Sequence, residues 1–145
     1  MSNSQCRQTN GFDPASAPDY LPTPQLRWLQ LQRLKVALTR AYENVELVRQ
    51  RMEQRGVTPQ DVQALEDLPK LPFTVKTDLR DTYPFGMFAS PMRDIVRLHA
   101  SSGTTGKPTV VAYTKEDIGV FSEVMKRTFL ACGCHEGDII QNAYG

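Results

Sequence analysis

Apolar residues recur at Leu31, Leu34, Leu38, Ala41, Val45, Val48 and Met52, in steps of three and four. That spacing lines one face of an α-helix. Trp28, Leu29, Val36 and Leu47 widen the stripe beyond a coiled-coil seam, so the pattern predicts a core-facing helix. Pro22 and Pro24 bracket Thr23, which predicts an N-cap at Thr23 with Pro24 at the first helical position. Gly56 is a natural stop. Thr58-Pro59 then opens a short helix with Asp61 in its first turn. From Leu68 to Gly86, Pro69, Pro72, Pro84 and Gly86 break the pattern, leaving turns and one brief helix near Val75–Asp81.

Beyond Asp94 the period changes. Ile95, Val96 and Leu98 predict one strand, and Val110, Val111 and Tyr113 another. Thr114 followed by Asp117 has the form of a capping box, opening a helix of about Lys115–Ala131 with apolar positions Ile118, Phe121, Val124, Met125 and Phe129. Gly133 ends it, and Gly137-Asp138 leads to a final expected strand over Ile139–Ala143. That helix would join two strands placed to lie parallel, so the expected class is α/β with a helical lead-in. The expected organisation is a flexible tail over 1–22, a helical lead-in over 23–93 and an α/β segment over 94–145, with no internal repeat.

Charge excludes more than it proposes. Seventeen basic and sixteen acidic residues leave a formal charge of +1 in 145 residues, which gives no electrostatic case for nucleic acid or a membrane surface. Seven Arg/Lys against three Glu between Arg27 and Arg55 read as a solvated helix face. No stretch reaches the roughly 18 apolar residues of a membrane span, and the polar start, Met1–Asp19, lacks a signal-peptide core. A cytoplasmic location is expected. The odd cysteine count speaks against a complete disulfide framework. Cys132, Cys134 and His135 offer at most three ligands at an unusual spacing, so no metal site is expected.

The chemistry gathers in the loop Ser101–Thr109, SSGTTGKPT. Ser101, Ser102, Thr104 and Thr105 place four hydroxyls within five residues. Gly103 and Gly106 allow a tight backbone with N–H groups close to a ligand, and Lys107 adds an ammonium. N–H groups, hydroxyls and one cation suit a polyphosphate, whereas a plain turn needs none of the hydroxyls. The triphosphatase pattern GxxxxGK[ST] fails at Ser101 and at Pro108, and the dinucleotide fingerprint GxGxxG fails at Ser101.

The pattern that remains, [ST]-[SG]-G-[ST]-T-G-x-P, resembles the phosphate loop of the adenylate-forming superfamily. Its flanks, HASSGTTGKPTVVAYT from His99 to Thr114, LPFTVKTDLRDTYPFG from Leu71 to Gly86, and QNAYG from Gln141, resemble the phenylacetate–CoA ligase family from about Trp28 to Gly145. Where that family reads N-V-P-x-Y-R, this chain has Asn44-Val45-Glu46-Leu47-Val48-Arg49, and the missing proline predicts a first helix that runs on.

The resemblance implies the start of the large N-terminal domain of an adenylate-forming enzyme, incomplete at 145 residues. It implies ATP, Mg2+ and CoA as co-substrates and an aryl carboxylic acid, phenylacetate first, as the acid activated. It assigns phosphate contacts to Ser101, Ser102, Gly103, Thr104, Thr105, Gly106 and Lys107, and a substrate contact to Tyr144. His99 reads as a strand histidine rather than a base, and no catalytic residue is assigned. Adenine recognition, the ribose ligand, the metal-binding glutamate and the catalytic lysine of the family would all lie beyond Gly145, so the chain alone is expected to lack ligase activity. Full-length relatives allow dimers. Two other readings stand beside this one: a ligase of the same family for another aryl acid, and a non-catalytic remnant or binding module.

Overall fold

The structure, a computed structural model, describes residues 14–101 and 108–143. The chain divides into two compact units, one of Pro22–Val120 and one of Met1–Leu21 with Phe121–Gly145.

In the larger unit, helix α1 spans Thr23–Asn44 and α2 spans Glu46–Gln54. The single helix expected through Met52 is therefore two. Val45 takes an extended conformation (φ −115°, ψ 105°) yet remains 2% exposed. Its N–H still donates to the Ala41 carbonyl at 2.9 Å and closes α1, while its carbonyl accepts the Arg49 N–H at 3.1 Å and opens α2. Asn44 Nδ2 takes up the Arg40 carbonyl at 2.8 Å, and the Glu46 carboxylate accepts from Arg49 and from Gln50 across the first turn of α2. An acid at a helix start and a β-branched residue just before it stabilise a break without proline. The start of α1 differs by one position as well. Pro22 flanks the helix and its carbonyl accepts the Leu26 N–H at 3.0 Å, so Thr23 is helical and makes no side-chain cap.

The core of this unit is Leu38, Met52 and Val62, with Leu31, Leu34, Tyr42, Val48, Val57 and Leu71 packed around it. Met52 and Val62 are 0% exposed, and burial of such side chains stabilises by about 1.5–3 kcal/mol each. Short 3-10 turns at Pro59–Asp61 and Leu65–Lys70 lead to α3, Lys76–Asp81, as the proline punctuation predicts. Gly56 has φ 65° and stops α2 in the left-handed region that glycine tolerates best. The Tyr83-Pro84 peptide is cis.

Strands β1 (Ile95–Ala100) and β2 (Val110–Thr114) form an antiparallel pair. Helix α4, Lys115–Ala131, follows β2 directly. Ile139–Ala143 forms no strand, so the expected parallel pair joined by α4 is absent among the described residues. Ile139 is 99% exposed, and an apolar run is held as a strand only by a neighbour that pairs with it and a layer that covers it.

In the smaller unit, α4 ends as expected at Gly133 (φ 83°), where the Cys134 N–H returns to the Phe129 carbonyl at 3.0 Å. Within the expected tail, Pro14–Tyr20 is a 3-10 helix, and Asp19 pairs with Arg127 at 3.6 Å; residues 1–13 lie outside the described residues.

Candidate functional site

The hydroxyl- and glycine-rich loop is carried by the β1–β2 hairpin. Alternation of side chains along each strand and the pairs Arg97↔Tyr113 and His99↔Val111 put these four residues on one face. Leu98↔Ala112 and Ala100↔Val110 lie on the other. His99 meets Tyr113 edge-on, with ring centroids 4.9 Å apart and an interplanar angle of 61°. This favourable aromatic geometry holds His99 as a strand residue, as its sequence context predicts. The register is irregular between Ile95 and Arg97, which marks the hairpin end remote from the loop.

At the loop end the ladder closes on Ser101 and Thr109. The Ser101 N–H donates to the Thr109 carbonyl at 3.0 Å, and the Thr109 N–H donates to Ser101 Oγ at 3.3 Å. Ser101 is exposed, so its side chain is not part of a core. Among the residues singled out for phosphate contact, Ser101 is thus placed. Ser102, Gly103, Thr104, Thr105, Gly106 and Lys107 lie outside the described residues, as does Tyr144.

Thr114 locks the far end of β2 to α4. Asp117 Oδ2 accepts the Thr114 N–H and hydroxyl, both at 2.8 Å, and the Asp117 N–H donates to Thr114 Oγ1 at 3.2 Å. This is the capping box expected from the sequence. It caps the first turn of α4 directly after the strand that carries the loop's exit. A separate groove of about 930 Å³ opens at this far end, lined by Lys35, Arg40, Glu43, Arg93 and Lys115 among others. It lies at the Ile95–Thr114 end of the hairpin, not at the Ser101–Thr109 end.

One electrostatic feature escaped sequence reasoning. Asp78 is buried, 5% exposed, and takes Arg51 in a two-pronged pair at 2.6 and 2.7 Å. It also accepts the Val75 N–H at 2.7 Å and so caps α3. The Arg51 guanidinium, then the Val75 N–H, hold the Asp78 carboxyl below its ordinary range. Arg51 further donates to the Phe73 carbonyl at 2.9 Å, which ties α2 to the segment entering α3. The available signal was an Asp three residues after an extended Val, the same spacing as Thr58–Asp61 and Thr114–Asp117.

Cys132 and Cys134 are free thiols, and no group of three potential metal ligands occurs among the described residues. No helix among them is long and apolar enough to cross a membrane.

Comparison with known proteins places this hairpin in a class. No family model matches the chain. The fold matches a solved 2-hydroxyisobutyryl-CoA ligase, bound to 2-HIB-AMP and CoA in its thioesterification state, with a TM-score of 0.77 and 28% identity. That match covers 89% of this chain and 30% of the other. The same ligase in its postadenylation state with 2-HIB-AMP gives 0.73 at 26% identity, over 89% of this chain and 29% of that one. The helices and small sheet are those of the N-terminal part of an adenylate-forming acyl-CoA ligase.

Within that class, the chain is similar to phenylacetate–CoA ligases. It is 54% identical to the phenylacetate-coenzyme A ligase of Thermus thermophilus over 125 residues, 86% of this chain and 28% of the relative. It is 55% identical to that of Pseudomonas putida over 120 residues, 83% of this chain and 27% of the relative, and 52% identical to that of Escherichia coli over 121 residues, 83% and 28%. The chain therefore spans just over a quarter of the length of these relatives.

Proposed function

We propose that this chain carries the triphosphate clamp of an ATP-dependent, AMP-forming ligase that activates an aryl acid, phenylacetate foremost, for transfer to CoA. The observation that carries the reading is the SSGTTGKPT loop mounted on an antiparallel hairpin, in a chain 52–55% identical to phenylacetate–CoA ligases.

In such a reaction the carboxylate attacks the α-phosphate of Mg·ATP, pyrophosphate leaves, and the CoA thiol then displaces AMP to give a thioester. Ser101 to Lys107 would hold the β- and γ-phosphates while charge builds on the leaving pyrophosphate. Backbone N–H groups, hydroxyls and the Lys107 ammonium are the donor types that would stabilise that charge. The hairpin is a suitable mount, because the bonds between Ser101 and Thr109 hold the two ends of the loop together. Mg2+ would arrive with the nucleotide, and no residue of this chain is assigned to hold it. Tyr144 is proposed as a contact to the acid. The cytoplasm is the proposed location.

Because the chain spans about 28% of its relatives, the full reaction is assigned to a longer polypeptide. The 145-residue chain by itself is expected to bind Mg·ATP weakly and to release no pyrophosphate with phenylacetate. Titration of the isotope-labelled chain with Mg·ATP, followed by amide resonances, tests the clamp. Shifts centred on Ser101–Thr109 and weakened by Lys107→Ala are expected. Saturating Mg·ATP that leaves those resonances unmoved would sink the assignment.

A further inference from the structure

The ladder of the β1–β2 hairpin does not end in the ordinary way. In an antiparallel pair, two residues facing each other across a hydrogen-bonded site exchange N–H and C=O bonds both ways. Ala100↔Val110 is the last registered pair, so Ser101 and Thr109 face each other next. Half of the expected exchange is present, since the Ser101 N–H reaches the Thr109 carbonyl at 3.0 Å. The other half is diverted. The Thr109 N–H goes to Ser101 Oγ at 3.3 Å, so the serine side chain takes the place that its own carbonyl fills in a regular ladder.

That substitution has a geometric consequence. The strands can splay at this point while both halves of the pair stay bonded, and the seven residues between Ser101 and Thr109 start from a base of fixed width. The Ser101 side chain continues the face that carries Arg97 and His99, where the edge-on His99–Tyr113 contact stiffens the strands just below it. A serine hydroxyl has one donor and two acceptor sites, and the Thr109 amide uses one of the acceptors.

We infer that Ser101 is a positioning residue for phosphate binding: it acts through the Thr109 amide to close the base of the loop. This inference rests on the proposed phosphate-clamp function and changes the role of one residue within it. The phosphate contacts themselves belong to residues further along the loop. Threonine at position 101 keeps an acceptor oxygen and preserves the clasp. Alanine removes it but leaves the Ser101-to-Thr109 backbone bond. Proline at position 109 removes the N–H from the other side and keeps the carbonyl that the residue-101 N–H needs.

A double-mutant cycle on the 145-residue chain tests it, with Mg·ATP as the probe. Loss of one neutral hydrogen bond at the loop base is expected to raise the Mg·ATP Kd about two- to tenfold in Ser101→Ala, and similarly in Thr109→Pro. The double variant is expected to be no weaker than either single variant, and Ser101→Thr to return within about twofold of the parent. Amide hydrogen exchange at Thr109 gives a second readout that needs no ligand. It is expected to be slow in the parent, faster in Ser101→Ala and slow again in Ser101→Thr. Ser101→Ala costing its full factor on top of Thr109→Pro would overturn the inference, since Ser101 would then touch the nucleotide directly. Thr109 exchange indifferent to Ser101→Ala would overturn it too. No Mg·ATP response from the parent chain would instead sink the parent reading of the loop, and the exchange rates would still decide the clasp.

Discussion

At the scale of single residues, aspartates three positions beyond a turn residue recur as fasteners. Asp61 accepts the Thr58 N–H at 2.7 Å, Asp67 the Ala64 N–H at 2.9 Å, and Asp78 the Val75 N–H at 2.7 Å. Asp117 does the same for Thr114 at 2.8 Å and Asp138 for His135 at 2.6 Å. Asp61, Asp67 and Asp78 are all held below the ordinary carboxylate range. Asp67 is lowered to about 2, first by its bond with Lys70 and then by the Ala64 and Gln63 amides. A carboxyl depressed in the folded state adds stability that is present above its unfolded value, roughly 4, and is lost as pH falls through its folded value. Thermal midpoints measured against pH should therefore be flat above about pH 5 and fall between about 4 and 2. Asp67→Asn should lower the midpoint at pH 7, and its gap from the parent should close towards pH 2. Packing gives a second prediction. A Cβ at Gly86 would stand 2.7 Å from the Thr82 carbonyl oxygen and 2.8 Å from Thr82 Cβ, so Gly86→Ala should cost roughly 1–3 kcal/mol in a denaturant titration. Met52→Ala should cost about 2–5 kcal/mol, because Met52 sits fully buried at the centre of the core.

At the scale of elements, the apolar stripe from Leu31 to Met52 was legible, and the break within it was not. Val45 changes backbone conformation but keeps its place on the buried face, so the three-and-four spacing passes over it undisturbed. A proline at position 46 would have announced the break; here Glu46 occupies that position and starts α2. Residues before proline favour the extended region that Val45 already occupies, and proline is tolerated at the first helical position. Glu46→Pro should thus change the thermal midpoint little, whereas Gln50→Pro, beyond the first turn of α2, should cost about 3 kcal/mol or more. The hairpin and α4 were readable because strand period, capping box and glycine stop each leave a local mark. The Arg51–Asp78 pair was not, since nothing local to Arg51 shows that Asp78, twenty-seven residues on, will face it. Ile139–Ala143 reads as a strand from composition alone, and composition does not say whether a neighbour will pair with it.

At the scale of the whole molecule, apolar surface remains open on the elements that bear the site. Val96 and Leu98 on β1 are 61% and 48% exposed, and Phe121 on α4 is 52% exposed. A two-stranded sheet is marginal without a covering layer, and exposed strand edges favour association. The isolated chain should self-associate with rising concentration in light scattering, and Leu98→Lys should reduce it. The resemblance to these ligases was readable from the sequence because a run of hydroxyls, glycines and a lysine is a local pattern, and the phosphate role of that loop is the proposal. For the acid the sequence offered Tyr144 alone, which lies outside the described residues, since pocket walls are assembled from distant segments and the chain covers about 28% of its relatives. The most direct test of the triphosphate clamp places this chain in a complete enzyme. Its 125 matched residues would replace the equivalent segment of the Thermus thermophilus phenylacetate-coenzyme A ligase, and phenylacetate-dependent AMP formation would be followed. The chimaera should form AMP, and Lys107→Ala within it should lower kcat by about a hundredfold. A folded chimaera that forms no AMP, or one that works equally well with Lys107→Ala, would contradict it.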